Sequence, residues 1–425
     1  MTRLTRMLSS LRIAPFRRFY IALVVAMSGF WVRIGTLGWL VYDITGSHER
    51  LGTIVAASLL PWVVAGPLGG VLADRYDPRK IIPYLLSGLV LINASLAVGL
   101  LLGKVGYVHL LVATVLAGCL RGLEHPARHS LMVRLVPIPM IPNAVGLNAA
   151  GFHLASAIGS LLVALLYPLI GPGGCYFVVA AGVLPMLALV RTLRPERDPP
   201  PQEPRSVLAD LAAGFRYVVD HRRTRLVLGC ASAAALLLWS FRTLMAPLAK
   251  DVLAVGERGY GHLMAVLGFG SLLGALTVAG QPAIHRDAPP GILRYALAGL
   301  FAVALLAWGT TLFTAVPALL LAGFCNVCFM ARSNVLVQSA VPEALRARVM
   351  GIWALTFALC WPLGSLLMGF WAGMFSVPIA LGIGAGGTLL ALVVFAVVAR
   401  RLGARVSGRT TQQEPGESLE PTAPL

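Results

Sequence analysis

The chain has 425 residues, of which 58% are hydrophobic and 12% charged, and its mean hydropathy is +0.81. That composition excludes an ordinary water-soluble globular protein. A formal charge of +17 suggests a nucleic-acid partner only until the positions of the charges are read.

In chain order, apolar stretches fall at roughly 19–42, 51–73, 82–103, 107–127, 143–168 and 172–192, then at 225–249, 259–281, 291–312, 314–339, 348–373 and 376–399. Each is long enough to cross about 30 Å of hydrocarbon as a helix. In lipid the backbone must satisfy its own hydrogen bonds, so each is predicted to be helical. Their Leu, Ala, Gly and Val run continuously, without the alternation of an outer-membrane barrel. The fold class is therefore an all-α membrane protein with 12 transmembrane helices.

The segment Met1–Arg18 carries five Arg and runs straight into a full-length span. It lacks a short apolar core followed by a small-residue cleavage site and is expected to stay uncleaved. Of the 34 Lys and Arg, Arg50, Lys104, Lys250 and Arg258 fall in loops on one side, and Arg33, Arg121, Arg242 and Arg332 fall within helices. The others fall in or beside segments on the opposite side. This positive-inside asymmetry places both termini in the cytoplasm. The basic charge is thus a topology signal whose partner is membrane lipid, and no nucleic-acid role is expected.

Between the two groups of six spans lies one long polar segment. It opens with Pro195, Pro199, Pro200, Pro201 and Pro204 and continues with an apolar helical face, Leu208, Leu211, Phe215 and Val218. That is the pattern of a stiffened linker leading into an amphipathic helix on the membrane surface. The domain reading is a six-helix bundle over 1–193, a cytoplasmic linker over 194–224, a second six-helix bundle over 225–400 and a disordered cytoplasmic tail over 401–425.

The two bundles repeat each other weakly. Val136-Pro137, Gly146 and Gly159-Ser160-Leu161-Leu162 return as Val341-Pro342, Gly351 and Gly364-Ser365-Leu366-Leu367, each 205 residues on. Ala127-Arg128 returns as Ala331-Arg332, and Trp31 and Asp43 return at a similar offset as Trp239 and Asp251. Such a repeat marks a duplicated transporter with two pseudo-symmetric halves. Cys325-x-x-Cys328 has no second pair to complete a metal site, so the pair is read as small buried side chains. No nucleotide-binding Gly-rich loop and no Ser/His/Asp or metal-ligand cluster stands out. No cofactor, metal or enzymatic activity is expected.

Between the second and third spans stands Gly66-Pro67-Leu68-Gly69-Gly70-Val71-Leu72-Ala73-Asp74-Arg75-Tyr76-Asp77-Pro78-Arg79-Lys80. Its Gly-x-x-x-Asp-Arg core and trailing basic pair resemble the signature loop of the major facilitator superfamily. Glycines let two helices pack closely, and Asp74 is able to accept charge-assisted bonds. Gly70, Asp74, Arg75, Arg79 and Lys80 are therefore read as a gating latch, with Arg128, just past the fourth span, as the structural partner of Asp74. Asp77 and Pro78 depart from the family pattern, which usually has Gly and a basic residue there. A narrower resemblance is to the branch of enterobactin exporters and macrolide efflux pumps. It rests on Gly38-Trp39-Leu40-Val41-Tyr42-Asp43-Ile44-Thr45-Gly46-Ser47, Pro126-Ala127-Arg128, Leu135-Val136-Pro137, Asn143-Ala144, Gly214-Phe215-Arg216-Tyr217 and Arg346-x-Arg348-Val349-Met350-Gly351. Phe152-His153 and Gly159-Ser160 in the fifth span, and Arg33 in the first, are departures from it.

The resemblance implies a bacterial inner-membrane protein, working as a monomer, in which the first, fourth, seventh and tenth helices line a central cavity. This chain places one Arg in each: Arg33, Arg121, Arg242 and Arg332. An Arg at mid-membrane costs roughly 2.5–3.5 kcal/mol even on the lenient scale, so these face water, a partner or a ligand. The substrate-binding candidates are these four with Trp31 and Trp239, which could stack a ligand ring, and Asn326. The competing readings are an Arg121–Glu124 pair, a snorkelling Arg332, packing Trp residues and an Asn326 bond to a neighbouring helix. Glu124 is the sole acid placed inside a span, so the excess of positive charge favours an anionic cargo. The proton-coupling candidates are Glu124 with His125, and His153, for which the alternative is helix packing. Together these features point to a secondary transporter that exports an amphipathic, anionic small molecule such as a siderophore by alternating access, coupled to protons by family analogy. The alternatives are a multidrug or macrolide efflux pump and a transport-inactive membrane sensor.

Overall fold

The computed structural model describes residues 9–193, 207–280, 289–309 and 311–410, and among them the regular structure is helical throughout. Among the described residues, eleven helical stretches are long and apolar enough to cross a membrane. One of them, Ile138–Val190, has 53 residues; at 1.5 Å per residue it would run about 80 Å, more than twice the hydrocarbon thickness. It is two spans. Gly171, flanked by Pro168 and Pro172, breaks it at φ 65° and ψ −178°, a conformation open to glycine and costly for other residues. Pro172 is then preset for the first turn of the next helix. The spans therefore number twelve, as the sequence predicts.

The first half comprises α1 (Ala14–Thr45), α2 (His48–Arg75), α3 (Pro78–Leu101), α4 (Tyr107–Arg134), α5 (141–170) and α6 (172–190). A linker helix, α7 (Val207–Asp220), leads to the second half: α8 (Thr224–Val252), α9 (Gly256–Gly280), α10 (Pro289–Trp308), α11 (Leu312–Ala340), α12 (Glu343–Met374) and α13 (Val377–Thr410). The last helix thus continues past the boundary expected at 400. The proline-rich segment 194–206, the loop with His285-Arg286-Asp287 and residues 411–425 lie outside the described residues. On α7, Val218 and Tyr217 are buried against the second half, and the Tyr217 hydroxyl donates to the Ala340 carbonyl at 3.4 Å. Phe215, expected on the same apolar face, is 61% exposed.

The repeat is visible in the packing. A side chain at Gly159 on α5 would fall 2.5 Å from the Trp31 Cβ of α1, and one at Gly364 on α12 would fall 1.9 Å from the Leu236 carbonyl of α8. These repeat-related glycines let the fifth helix of each half press against the first. The halves then join through two related seams, α2 against α12 and α5 against α9. At the first seam Gly52 would meet the Ser365 carbonyl at 2.6 Å; at the second Gly261 would meet the Ala164 Cα at 2.3 Å. Close backbone approach through small residues is how apolar helices associate where burial gives no hydrophobic gain.

With an even number of crossings, Ser9 and Thr410 lie at one end, here the near end; the turns at Gly46 and Gly256 lie at the far end. Contacts between the halves gather from Trp31 toward the far end: Trp39 with Tyr260, the Tyr260 hydroxyl with the Gly35 carbonyl at 3.0 Å, and Gly369 against Gly52. Toward the near end, a side chain added at Gly66, Gly70 or Gly146 would meet open space. The contacts that join the halves thus lie mainly toward the far end, and we read the near end as the side where a crevice opens between them.

Candidate substrate site and gate

The seventh span is irregular where it carries its charge. Within α8, residues Ala234–Leu238 and Leu248–Val252 take π-helical turns and Trp239–Leu244 a tighter 3-10 turn. Pro247 has no N–H to return to Thr243, which loosens the α-helical ladder at that point. Such departures are frequent at functional sites. The result aims Arg242 across the interface, with its guanidinium carbon 5.1 Å from the centre of the Trp31 ring on α1.

From that contact a chain of rings and cations runs along the first half. Trp31 meets Phe30 edge-on at 5.7 Å, and Phe30 lies 4.8 Å beneath the Arg121 guanidinium. Phe30 also neighbours Trp62 at 6.5 Å, and Trp62 neighbours His125 at 5.8 Å. On the other side, Trp31 meets Phe152 at 5.5 Å, and Phe152 meets His153 at 5.6 Å. Phe152 is 40% exposed, so this chain ends at an accessible ring. Toward the far end, Trp31 and Arg242 border a small cavity of about 40 Å³, shared with Gly38, Tyr260, Met264 and Trp361. It has room for water and none for a drug-sized cargo, which needs some 300 Å³ or more.

The four intramembrane arginines do not form one ring. Arg33 is 3% exposed and sits inside the first half, where its Nη2 donates to Thr114 Oγ1 at 3.3 Å. Arg121 is likewise buried, and Arg242 and Arg332 are half-buried. Arg332 lies over Tyr295 at 5.2 Å. Trp239 does not stand beside Arg242. It turns into the second half, against Phe357 at 5.8 Å, and lines a small internal cleft with Asn326 and Tyr295. The Nε of Arg33, the Nε of Arg121 and Nη2 of Arg242 are buried and meet no protein acceptor among the described residues.

The acid expected to serve these cations is already engaged. Arg128 is not past the fourth helix but inside α4, where its Nε donates to Glu124 Oε1 at 2.7 Å, with both side chains buried. The i,i+4 spacing closes that pair. Among the described residues Arg128 makes no bond to Asp74, and Glu124 makes no hydrogen bond or ion pair within 4 Å to Arg121. Glu124 and His125 also diverge: the carboxylate is buried and His125 is exposed beside Trp62.

At the near end, Asp74 and Arg75 are exposed, and Asp74 makes no hydrogen bond or ion pair among the described residues. Lys80 is exposed as well, and Gly70 faces open space. Arg79 instead clasps Asp77, with Nη2 to Oδ2 at 2.7 Å and Nε to Oδ2 at 3.0 Å, and its Nη1 reaches the Leu193 carbonyl at 3.5 Å. Asp77 caps α3 by accepting the Arg79 N–H at 2.9 Å, and Pro78 fills the first helical position. The two departures from the family loop thus make a cap and an N1 proline. The Arg79 hydrogen bond holds the Asp77 carboxyl below the ordinary carboxylate range. Asn143 accepts the Ser10 N–H at 3.0 Å, tying the N-terminal turn to α5.

Sequence reasoning missed Phe30, Trp62 and Tyr260, and it treated Phe152 only as an oddity. The usable signal was position: each aromatic lies on a helix that faces the other half.

Twelve spans in two repeat-related halves, with aromatic and cationic side chains gathered between them, define a transporter of the major facilitator superfamily. The chain belongs to the family described as transmembrane secretion effectors, which it matches over residues 5–419. It is 27% identical to the enterobactin exporter EntS of Shigella flexneri over 398 residues, covering 91% of this chain and 92% of that one. The enterobactin exporter EntS of Escherichia coli (strain SE11) is likewise 27% identical, with 91% and 92% covered. Among solved structures, the nucleoside transporter NupG resembles it with a TM-score of 0.71 at 15% identity, covering 90% of this chain and 98% of that one. A bacterial homolog of the human lysosomal transporter Spinster has a TM-score of 0.70 at 15% identity, covering 91% and 96%. These two likenesses speak to fold alone.

Proposed function

We propose that the protein is a secondary active exporter of an amphipathic, anionic small molecule, with a siderophore-type chelator as first choice, moved across the bacterial inner membrane by alternating access. The observation that carries this reading is the row Arg242–Trp31–Phe30–Arg121 at the crevice, in which two guanidiniums keep buried N–H donors uncommitted. A planar anion satisfies both halves of that arrangement: its ring stacks on the aromatic faces and its charge takes the guanidinium forks. The relatives that match over nine-tenths of the chain are named as exporters of enterobactin, which agrees with this choice. By the positive-inside asymmetry the near end faces the cytoplasm, so the crevice stands ready to load from inside. The protein works as a monomer and draws on the proton gradient, with His153 and His125 as the intramembrane titrating groups that remain once Glu124 is paired.

Secretion tests it. Cells that depend on this chain for export, carrying Arg121→Gln or Arg242→Gln, are expected to retain the chelator inside at unchanged protein level. Unaltered secretion would refute the anionic reading. The aromatic wall favours one second reading, an efflux pump for apolar planar drugs. In that case the same variants leave drug susceptibility unchanged while Phe152→Ala raises it.

A further inference from the structure

We propose that Asp43 and Asp251, one from each half, are the acceptors of a reciprocal two-bond gate at the far end, and that release of cargo requires both bonds to part. In the repeat, Tyr42-Asp43 at the end of α1 corresponds to Lys250-Asp251 at the end of α8, each 208 residues on. In the structure the residue before each Asp reaches the Asp of the other half. Lys250 Nζ lies 2.6 Å from Asp43 Oδ1, and the Tyr42 hydroxyl donates to Asp251 Oδ2. His48, at the start of α2, completes the second bond: its Nε2 is 3.2 Å from the Tyr42 hydroxyl and 3.8 Å from Asp251 Oδ2. Lys250 also sits 5.9 Å over the Tyr42 ring, which joins the two bonds into one cluster.

Geometry and exposure together give the cluster its role. Apart from the Tyr42–His48 bond, which lies within the first half, these contacts cross from one half to the other, beyond the small cavity lined by Tyr260 and Met264. The halves cannot separate at the far end without breaking all of them. The side chains of Asp43, Lys250 and Asp251 are 52%, 40% and 43% exposed, so water takes over their partners as the bonds open. Exposed pairs of this kind hold weakly, and a clasp that opens in every cycle has to be weak. The gate rests on the alternating-access reading and is independent of the cargo.

The test measures access to Met264, buried behind the gate. The full-length Met264→Cys protein in inverted or right-side-out vesicles is treated with a membrane-impermeant maleimide from the far side, and the labelled peptide is quantified by mass, leaving the natural cysteines in place. Asp43→Asn with Asp251→Asn is expected to speed labelling at least tenfold, with circular dichroism and chromatographic profile retained. The charge exchange Asp43→Lys with Lys250→Asp re-forms one bond and is expected to return labelling to the slow rate in an otherwise native background. If the double Asn variant does not stay folded, the exchange decides alone against the single Lys250→Asp, which places two acids together and is expected to label fast. Equal rates across all these proteins would overturn the gate. If instead the gate variants label fast while cargo moves through none of the folded proteins, the gate stands and the transport reading fails.

Discussion

The guanidinium of Arg242 lies 5.1 Å over the indole of Trp31, and this contact joins the first helix of one half to the first helix of the other. It stands at the boundary between the closed far end and the open near end. Arg242→Lys keeps the charge and loses the fork; Arg242→Gln loses both. For an anionic cargo the Gln variant is expected to weaken binding about tenfold, corresponding to some 1.4 kcal/mol, with Lys intermediate, as read by ligand titration of the purified protein. Trp31→Phe keeps a ring at the site and is expected to cost less than Trp31→Ala, which also opens a cavity.

The repeat-related glycines make a paired test of the packing. Gly159→Val and Gly364→Val each force a side chain into backbone or Cβ atoms at 2.5 Å or less. Overpacking of this kind typically costs about 1–3 kcal/mol, and a backbone obstacle puts Gly364 at the upper end. Melting temperatures in detergent should fall for both variants, further for Gly364→Val. Gly66→Val, which meets open space, should leave melting near the native value.

Glu124 and Arg128 hold each other in a buried pair. Glu124→Gln strands the Arg128 charge and is expected to cost about 3–5 kcal/mol, whereas replacing both by Gln and Met should recover most of that loss. Thermal unfolding of the three proteins checks the order. A proton-carrying Glu124 would behave differently, since Glu124→Gln would then stay stable and lose only the pH dependence of transport.

The Asp77 cap titrates. Its carboxyl is held low by Arg79 in the folded protein, so its contribution is fully present above the unfolded value of about 3.9. It fades as pH falls through the lower folded value. Asp77→Ala is expected to cost about 1 kcal/mol at neutral pH, and the gap in melting temperature from the native protein should narrow in strong acid. Arg79→Gln should shrink the same gap by raising the carboxyl toward its ordinary value.

The spans and the repeat were legible because both are encoded in length and composition: twenty apolar residues have one stable form in lipid. Even the break at Gly171 is announced by Pro168 and Pro172. The direction in which each side chain points was not. In a soluble helix the apolar stripe marks the core, but here lipid and core are equally apolar, and the period carries little information. Arg33 and Arg242 therefore looked equivalent in sequence, yet one turns into its own half and the other across the interface. Arg128 was misplaced for a related reason, since α4 runs on to Arg134 past the end of its apolar stretch. The far-end exchange between Tyr42-Asp43 and Lys250-Asp251 was present in the repeat, but Tyr and Lys do not look like counterparts until the contacts are seen.

The most direct measurement is flux through the purified protein in liposomes under an imposed proton gradient, comparing an anionic catechol chelator with its methylated, uncharged analogue. The account expects the native protein to move the anion and discriminate against the neutral form by about tenfold, and Arg242→Gln to abolish that preference. Equal transport of both cargoes by the native protein, or a preference that survives Arg242→Gln, would contradict it.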